Sequence, residues 1–278
     1  MLYAVIAVAA LIILRFALKA VKAASAKRAA EAAEAERQRK LAEDRRKAEE
    51  ERRQREAEAQ RAASEREMAT RAAIRKCPGS EKYRLDEQQF DVSADILTIT
   101  GFTPASKTRF VAFDLETTGL DAYTDAIIEI GAVRVESGVI TEEFSQLVDP
   151  ARHIPLAASN VNHITDDMVT GMPKIYEVLP SFLTFIGDDI LAAHNASFDA
   201  KFLMNACREN RFKAPAKFFD TMSLARYYPG AANKKLATLI DCAGIENDEA
   251  HRALGDARAV AQLIIHTNEI RSKKKVQA

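Results

Sequence analysis

The sequence predicts an α/β domain on a mixed sheet, carried at the end of a long helical N-terminal region. Three observations predict it. Within residues 109–270, three short apolar runs come first, and further short runs then alternate with stretches of helical spacing. No glycine or proline occurs before Pro78. The first eighteen residues are apolar apart from Arg15.

The elements follow in chain order. At about 1.5 Å per residue, Met1 to Leu18 would extend roughly 27 Å, close to the bilayer core of about 30 Å. Arg15 lies near the end of that run, where its stem can reach the headgroups. A cleaved signal peptide carries basic residues before its apolar run. Here Lys19, Lys22, Lys27 and Arg28 follow it instead. Residues 1–18 are therefore expected to form a transmembrane anchor in the inner or plasma membrane. The positive-inside rule puts the rest of the chain in the cytoplasm.

Residues 19–76 are rich in Ala, Glu, Arg, Lys and Gln, all good helix formers. Acid-to-base pairs recur four apart at Glu36–Lys40, Glu43–Lys47, Glu49–Arg53, Glu51–Arg55 and Glu67–Arg71. Between Val21 and Cys77 the larger apolar residues are only Leu41, Met68 and Ile74, too few for a leucine seam. The expectation is a solvated helical stalk or a weak coiled coil seamed by alanine, which leaves a homodimer open. Cys77-Pro78-Gly79-Ser80 ends the pattern. Residues 77–108 read as a linker, 109–270 as the folded domain and 271–278 as a basic tail.

In the folded domain, strands are expected at 109–114, 127–135, 139–148, 189–193 and 217–219. Ser137-Gly138 marks a turn between the second and third. Helices are expected at 175–186, 196–210, 236–242 and 256–270. The chain has 40 basic and 40 acidic residues, but they are unevenly placed. Residues 1–76 carry 19 basic and 12 acidic side chains, whereas 77–270 carry 17 and 28. That acidity excludes a basic coat for long duplexes and favours a site that takes cations. Three cysteines with no CxxC spacing exclude a disulfide framework and a structural zinc site. No GxGxxG or GxxxxGK[ST] is present, so dinucleotide and P-loop chemistry have no support.

The chemistry lies in acidic residues at strand ends. Asp114 and Glu116 stand two apart, and period two points both to one face of a strand. Asp199 follows the fourth strand, in His194-Asn195-Ala196-Ser197-Phe198-Asp199. Asp256 sits at the start of the last helix, with His251 in the loop before it. Four carboxylates from three elements offer the hard oxygen donors that Mg²⁺ or Mn²⁺ prefer. Two such ions suit phosphodiester cleavage, and a nearby His can take a proton from water.

Phe113-Asp114-Leu115-Glu116-Thr117-Thr118-Gly119, then His194-Asn195 with Phe198-Asp199, then His251 with Asp256-Ala257, resembles the DnaQ-like, DEDDh-type 3′→5′ exonucleases. This group includes the proofreading subunits of bacterial replicative polymerases. The resemblance covers roughly residues 109–268 and leaves out the anchor and stalk. It implies an RNase H-like mixed sheet of five strands with flanking helices. It implies that Asp114, Glu116, Asp199 and Asp256 ligate two divalent cations, Mg²⁺ or Mn²⁺, and that His251 is the general base. Leu115 and Thr117 match positions that contact the terminal nucleotide. Asn162 and His163 stand where the family often has His and Gly, in a segment that contacts the terminal nucleotide, so Asn162 is read as a substrate contact. Asn195 is read as a support for Asp199 or the substrate, and Phe198 as either core or a platform for a base. His194 reads as a packing or hydrogen-bonded residue, and Asp220 as a helix cap.

The function these residues imply is metal-dependent hydrolysis from the 3′ end of single-stranded DNA or RNA. Two alternatives stand beside it: a nucleic-acid-binding module that kept the fold and lost catalysis, and a membrane tether whose stalk is the working part. A polymerase partner is left open, but an anchored chain has no evident need of one.

Overall fold

The computed structural model describes residues 2–85, 98–100 and 109–276, with side chains at only a few positions before Arg45. Helix α1 (Leu2–Lys76) is 75 residues long. The chain divides into two compact units, Met1–Glu65 and Arg66–Ala278.

The first unit is helix alone. Every residue from Arg45 to Glu65 is exposed. Glu43–Lys47 and Glu49–Arg53 form the expected ion pairs, each at 2.8 Å. Among the described residues no helix is long and apolar enough to cross a membrane. The expected anchor falls on side chains of residues 1–18, which lie outside that description.

The second unit holds the sheet. Its strands are β1 (Thr98–Thr100), β2 (Phe110–Thr117), β3 (Ile127–Glu136), β4 (Val139–Leu147), β5 (Ile190–Ala193) and β6 (Lys217–Asp220). Its helices are α2 (Leu156–Asn162), α3 (Asp166–Val169), α4 (Ile175–Ile186), α5 (Ala196–Glu209), α6 (Leu236–Ala243) and α7 (Ala253–Val276). The sheet order is β1-β6-β5-β2-β3-β4. β2, β3 and β4 pair antiparallel, whereas β5, β6 and β1 run parallel to β2. The five expected strands form this mixed sheet, and the short β1 extends its edge.

Sequence explains the layering. The β3 residues Ile127–Val135 are buried, as expected for a strand covered on both faces. Ser137 (φ 51°) and Gly138 (φ 84°) are both left-handed and make the tight turn into β4. Val111, Phe113 and Leu115 of β2 pack against α4 and α5 on one side. Phe110 and Ala112, alternating with them, pack with α6 and α7 on the other. Ala253, Ala257 and Ala261 are fully buried in α7, where small side chains let the helix lie close to the sheet.

Two boundaries differ from the sequence expectation. The folded unit starts at Arg66 rather than 109. In the last turns of α1, Thr70 is 2% exposed and Ile74 packs against the core. Arg66 donates to Asn210 Oδ1 (3.0 Å), and Arg84 bridges Glu67 and the Asn210 carbonyl, both at 2.7 Å. Within the expected linker, Ser80–Tyr83 form a turn of 3₁₀ helix and Tyr83 joins the core. The expected basic tail is helical through Val276, because α7 continues past Ile270.

Candidate active site

The site sits at the carboxyl end of β2, where the sheet changes from antiparallel to parallel partners. A crevice opens there in α/β sheets. β2 delivers Asp114 and Glu116 to one face by strand alternation, and both are part-buried. α7 brings Asp256 in its first turn. Carboxylate oxygens of Asp114, Glu116 and Asp256 all lie within 4.8 Å of one another. Asp199, in the first turn of α5, is 3% exposed, and its Oδ1 accepts the Leu115 N–H at 3.1 Å. Three of the four expected carboxylates thus form one cluster, and Asp199 lies outside it but near enough to repel Asp114.

Electrostatics sharpen the picture. Burial raises the Asp114 carboxyl well above its ordinary value, and Asp199, Glu116 and Asp256 add repulsion. Burial, then the charges of Asp256 and Glu129, push Glu116 up to about 8. Asp199 is also raised to about 8, first by burial, although two backbone N–H groups favour its charged form. Asp256 is raised too, again chiefly by burial. Among the described residues, no Lys or Arg forms an ion pair with any of the four. Crowded carboxylates without a counter-charge repel one another. A hard divalent cation with oxygen ligands supplies the missing charge, so the donor set fits Mg²⁺ or Mn²⁺.

Each acid is oriented by neighbours. Asn247 donates to Asp256 Oδ1 at 2.7 Å, and the His251 N–H reaches Asp256 Oδ2 at 3.3 Å. His251 is exposed and left-handed (φ 62°), one residue before Arg252. Asn162 is 2% exposed; it hydrogen-bonds the Glu116 carboxylate and donates to the Thr117 carbonyl at 3.4 Å. Thr117 Oγ1 donates to the Gly119 carbonyl (2.6 Å). A Cβ on Gly119 would lie 2.4 Å from the Asp125 carboxylate, so a larger residue there would push that side chain aside.

The remaining expected residues lie around the cluster rather than in it. Leu115 is 4% exposed with its side chain in the core, so what it offers the site is its backbone N–H. Phe198 packs against the core, with its ring 5.0 Å from that of Phe202. Asn195 is the left-handed residue (φ 61°) that opens α5, and its N–H donates to Asp220 Oδ1 at 3.1 Å. Asp220 also accepts the Met222 N–H at 2.9 Å, the expected cap. His194 bonds Thr221 Oγ1 (2.9 Å) and the Lys234 carbonyl (2.8 Å), as expected of a hydrogen-bonded residue.

Three residues at the site were not anticipated: Glu129, Asn247 and Arg252. Glu129 lies directly across the ladder from Glu116 and is 1% exposed. In Ile127-Ile128-Glu129-Ile130 it reads as the polar half of a strand alternation. The one signal for it was an acidic residue inside a run otherwise destined for the core.

Comparison with known proteins matches this geometry. The profile of the exonuclease family matches residues 111–264. The DNA polymerase III subunit epsilon of Aquifex aeolicus is 41% identical over 160 residues, covering 56% of this chain and 78% of that protein. The PolC-type DNA polymerase III of Clostridium perfringens is 40% identical over 169 residues. That match covers 60% of this chain but only 12% of the polymerase's length. A solved 3′-exonuclease that recognises a histone mRNA stem-loop shares the fold, with a TM-score of 0.51 at 20% identity. It covers 61% of this chain and 67% of its own. With its acids at the strand ends and its profile match across the sheet, the chain belongs to the exonuclease family.

Proposed function

We propose that this chain is a divalent-metal-dependent 3′→5′ exonuclease acting on single-stranded ends. The observation that carries the reading is the convergence of Asp114, Glu116 and Asp256 within 4.8 Å, with no Lys or Arg ion-paired to them among the described residues. Asp199, fixed by the Leu115 N–H, completes the ligand set. Two ions held there would activate water and stabilise the leaving oxygen of a phosphodiester.

The chain's own residues supply the rest. His251, in the exposed loop before α7, takes the proton from the attacking water. Asn247 and the His251 N–H fix the Asp256 carboxylate, and Asn162 fixes Glu116. Such supporting bonds keep ligands aimed where ions bind. The relatives named as DNA polymerase III favour DNA as substrate, and the acidic domain surface favours short ends over long duplexes. We assign the apolar run 1–18 to a membrane anchor on hydropathy and on the basic residues that follow it.

The test uses the full chain with 5′-labelled single-stranded DNA and RNA of one sequence, in Mg²⁺, Mn²⁺ or EDTA. A ladder that shortens from the 3′ end, absent in EDTA and with Asp199→Ala, is the expected result. Faster loss of DNA or of RNA assigns the sugar. Intact strands in every metal, from folded protein, would move the reading to a binding module.

A further inference from the structure

Glu129 is the acidic side chain beside the cluster that does have a counter-charge. Its Oε1 accepts Arg252 Nη2 at 2.6 Å, and its Oε2 accepts Arg252 Nε at 3.1 Å. The same Oε2 accepts the Ala253 N–H at 3.0 Å. The carboxylate side chain is 2% exposed and that of Arg252 is 41% exposed. A two-pronged Arg–carboxylate pair fixes orientation as well as distance. Here it links the start of β3 to the two residues that follow His251.

What it fixes is an unfavourable backbone. His251 is left-handed without being glycine (φ 62°), a strained conformation that persists only where the surroundings impose it. The segment around it is tied on both sides. The Arg252 N–H donates to the Glu249 carbonyl (3.2 Å), and the Asp256 N–H to the Arg252 carbonyl (3.0 Å). At Gly131, two residues along β3 from Glu129, a Cβ would lie 2.1 Å from backbone atoms of Ala253 and Leu254. The loop bearing His251 is therefore held against β3, with the Glu129 carboxylate as its polar anchor.

The geometry points to Glu129 as a positioning residue: through Arg252 and the Ala253 N–H it holds His251 in its left-handed conformation, with the His251 N–H on the Asp256 carboxylate. This rests on the exonuclease reading above, in which His251 takes the proton. Glu129 touches no substrate and binds no ion in this account. Its Arg252 partner supplies a counter-charge to a fifth carboxylate that lies directly opposite Glu116.

The test compares the full chain with Glu129→Gln, Arg252→Lys, His251→Ala and the Glu129→Gln/His251→Ala pair, on a labelled oligonucleotide in Mn²⁺. An inactive wild type overturns the exonuclease reading itself. With an active wild type, Glu129→Gln should lower kcat about 10- to 100-fold, with KM and the Mn²⁺-induced rise in Tm unchanged. Arg252→Lys keeps the charge but not the fork, and should lose rate in the same direction. It serves as the probe if Glu129→Gln does not fold. In the His251→Ala background, Glu129→Gln should cost less than about twofold more, because the two act as a unit. Unchanged kcat in both single variants overturns the inference. So does an equal further loss in that background, or loss of the Mn²⁺ response.

Discussion

At the scale of the residue, position decides what a carboxylate is for. Glu129 and Glu116 face each other across one ladder rung, and both sit among acids. Glu129 is ion-paired to Arg252 and accepts the Ala253 N–H; Glu116 has the Asn162 amide and, among the described residues, no ion-pair partner. The first is structural and the second is left for an ion. The pH dependence follows. Folding raises Glu116 from 4.5 to about 8, so the folded state holds its proton more tightly than the unfolded chain. Stability from that group is full below its ordinary value and is lost as pH rises toward 8. In EDTA, Tm should fall between pH 5 and pH 8.5. In saturating Mn²⁺ the fall should vanish, because the ions replace the protons. An identical fall in both solutions would mean that no ion enters the cluster. His251→Ala should lower kcat by about 10²- to 10⁴-fold while leaving the Mn²⁺-induced rise in Tm intact, since His251 is read as a base and not a ligand.

At the scale of the element, the start of α7 is where fold and chemistry meet. It carries Asp256, follows His251, and lies so close to β3 that Gly131 has no room for a methyl group. Gly131→Ala should cost about 1–3 kcal/mol of stability by overpacking, measured by denaturant unfolding. It should also lower kcat in the fraction that folds, because α7 must shift. A stable variant with wild-type kcat would show that the approach is slack. These elements also explain what the sequence disclosed. Asp114, Glu116, Asp199, His251 and Asp256 were legible because each lies in a short local pattern at a strand or helix end. The five main strands were legible from apolar runs and the Ser137-Gly138 turn. The Glu129–Arg252 pair was not, since its halves are 123 residues apart and local spacing carries no cross-chain pairing. Leu115 was read toward substrate by resemblance, yet its side chain is buried in the core; Phe198, read as either core or a platform for a base, is partly buried and packs against that core. Strand alternation explains Leu115, which faces away from Asp114 and Glu116.

At the scale of the whole molecule, the uniform composition of residues 19–76 hid a boundary. The stretch reads as one charged helix, and it is one, but from Arg66 onward it belongs to the catalytic unit. Thr70, Ile74 and Tyr83 are the few residues that reveal the docking, each too isolated to form a sequence pattern. A truncation starting at Arg66 should keep the Tm and activity of the full chain. One starting at 109 should melt lower and self-associate, because it uncovers the core beneath Tyr83 and removes the partner of β6. Equal melting of the two would place the boundary at 109 after all. Membrane partitioning should follow residues 1–18 and be absent from the Arg66 truncation.

The most direct test of the central claim is the rate of 3′ shortening of a single-stranded oligonucleotide by the full chain against Mn²⁺ concentration, with Asp256→Asn in parallel. The account predicts no activity without metal and a saturable rise with it. It also predicts that Asp256→Asn shifts the curve to higher Mn²⁺ and lowers its plateau. A rate that persists in EDTA, or curves that coincide for the two proteins, would contradict the assignment of these carboxylates to metal-dependent hydrolysis.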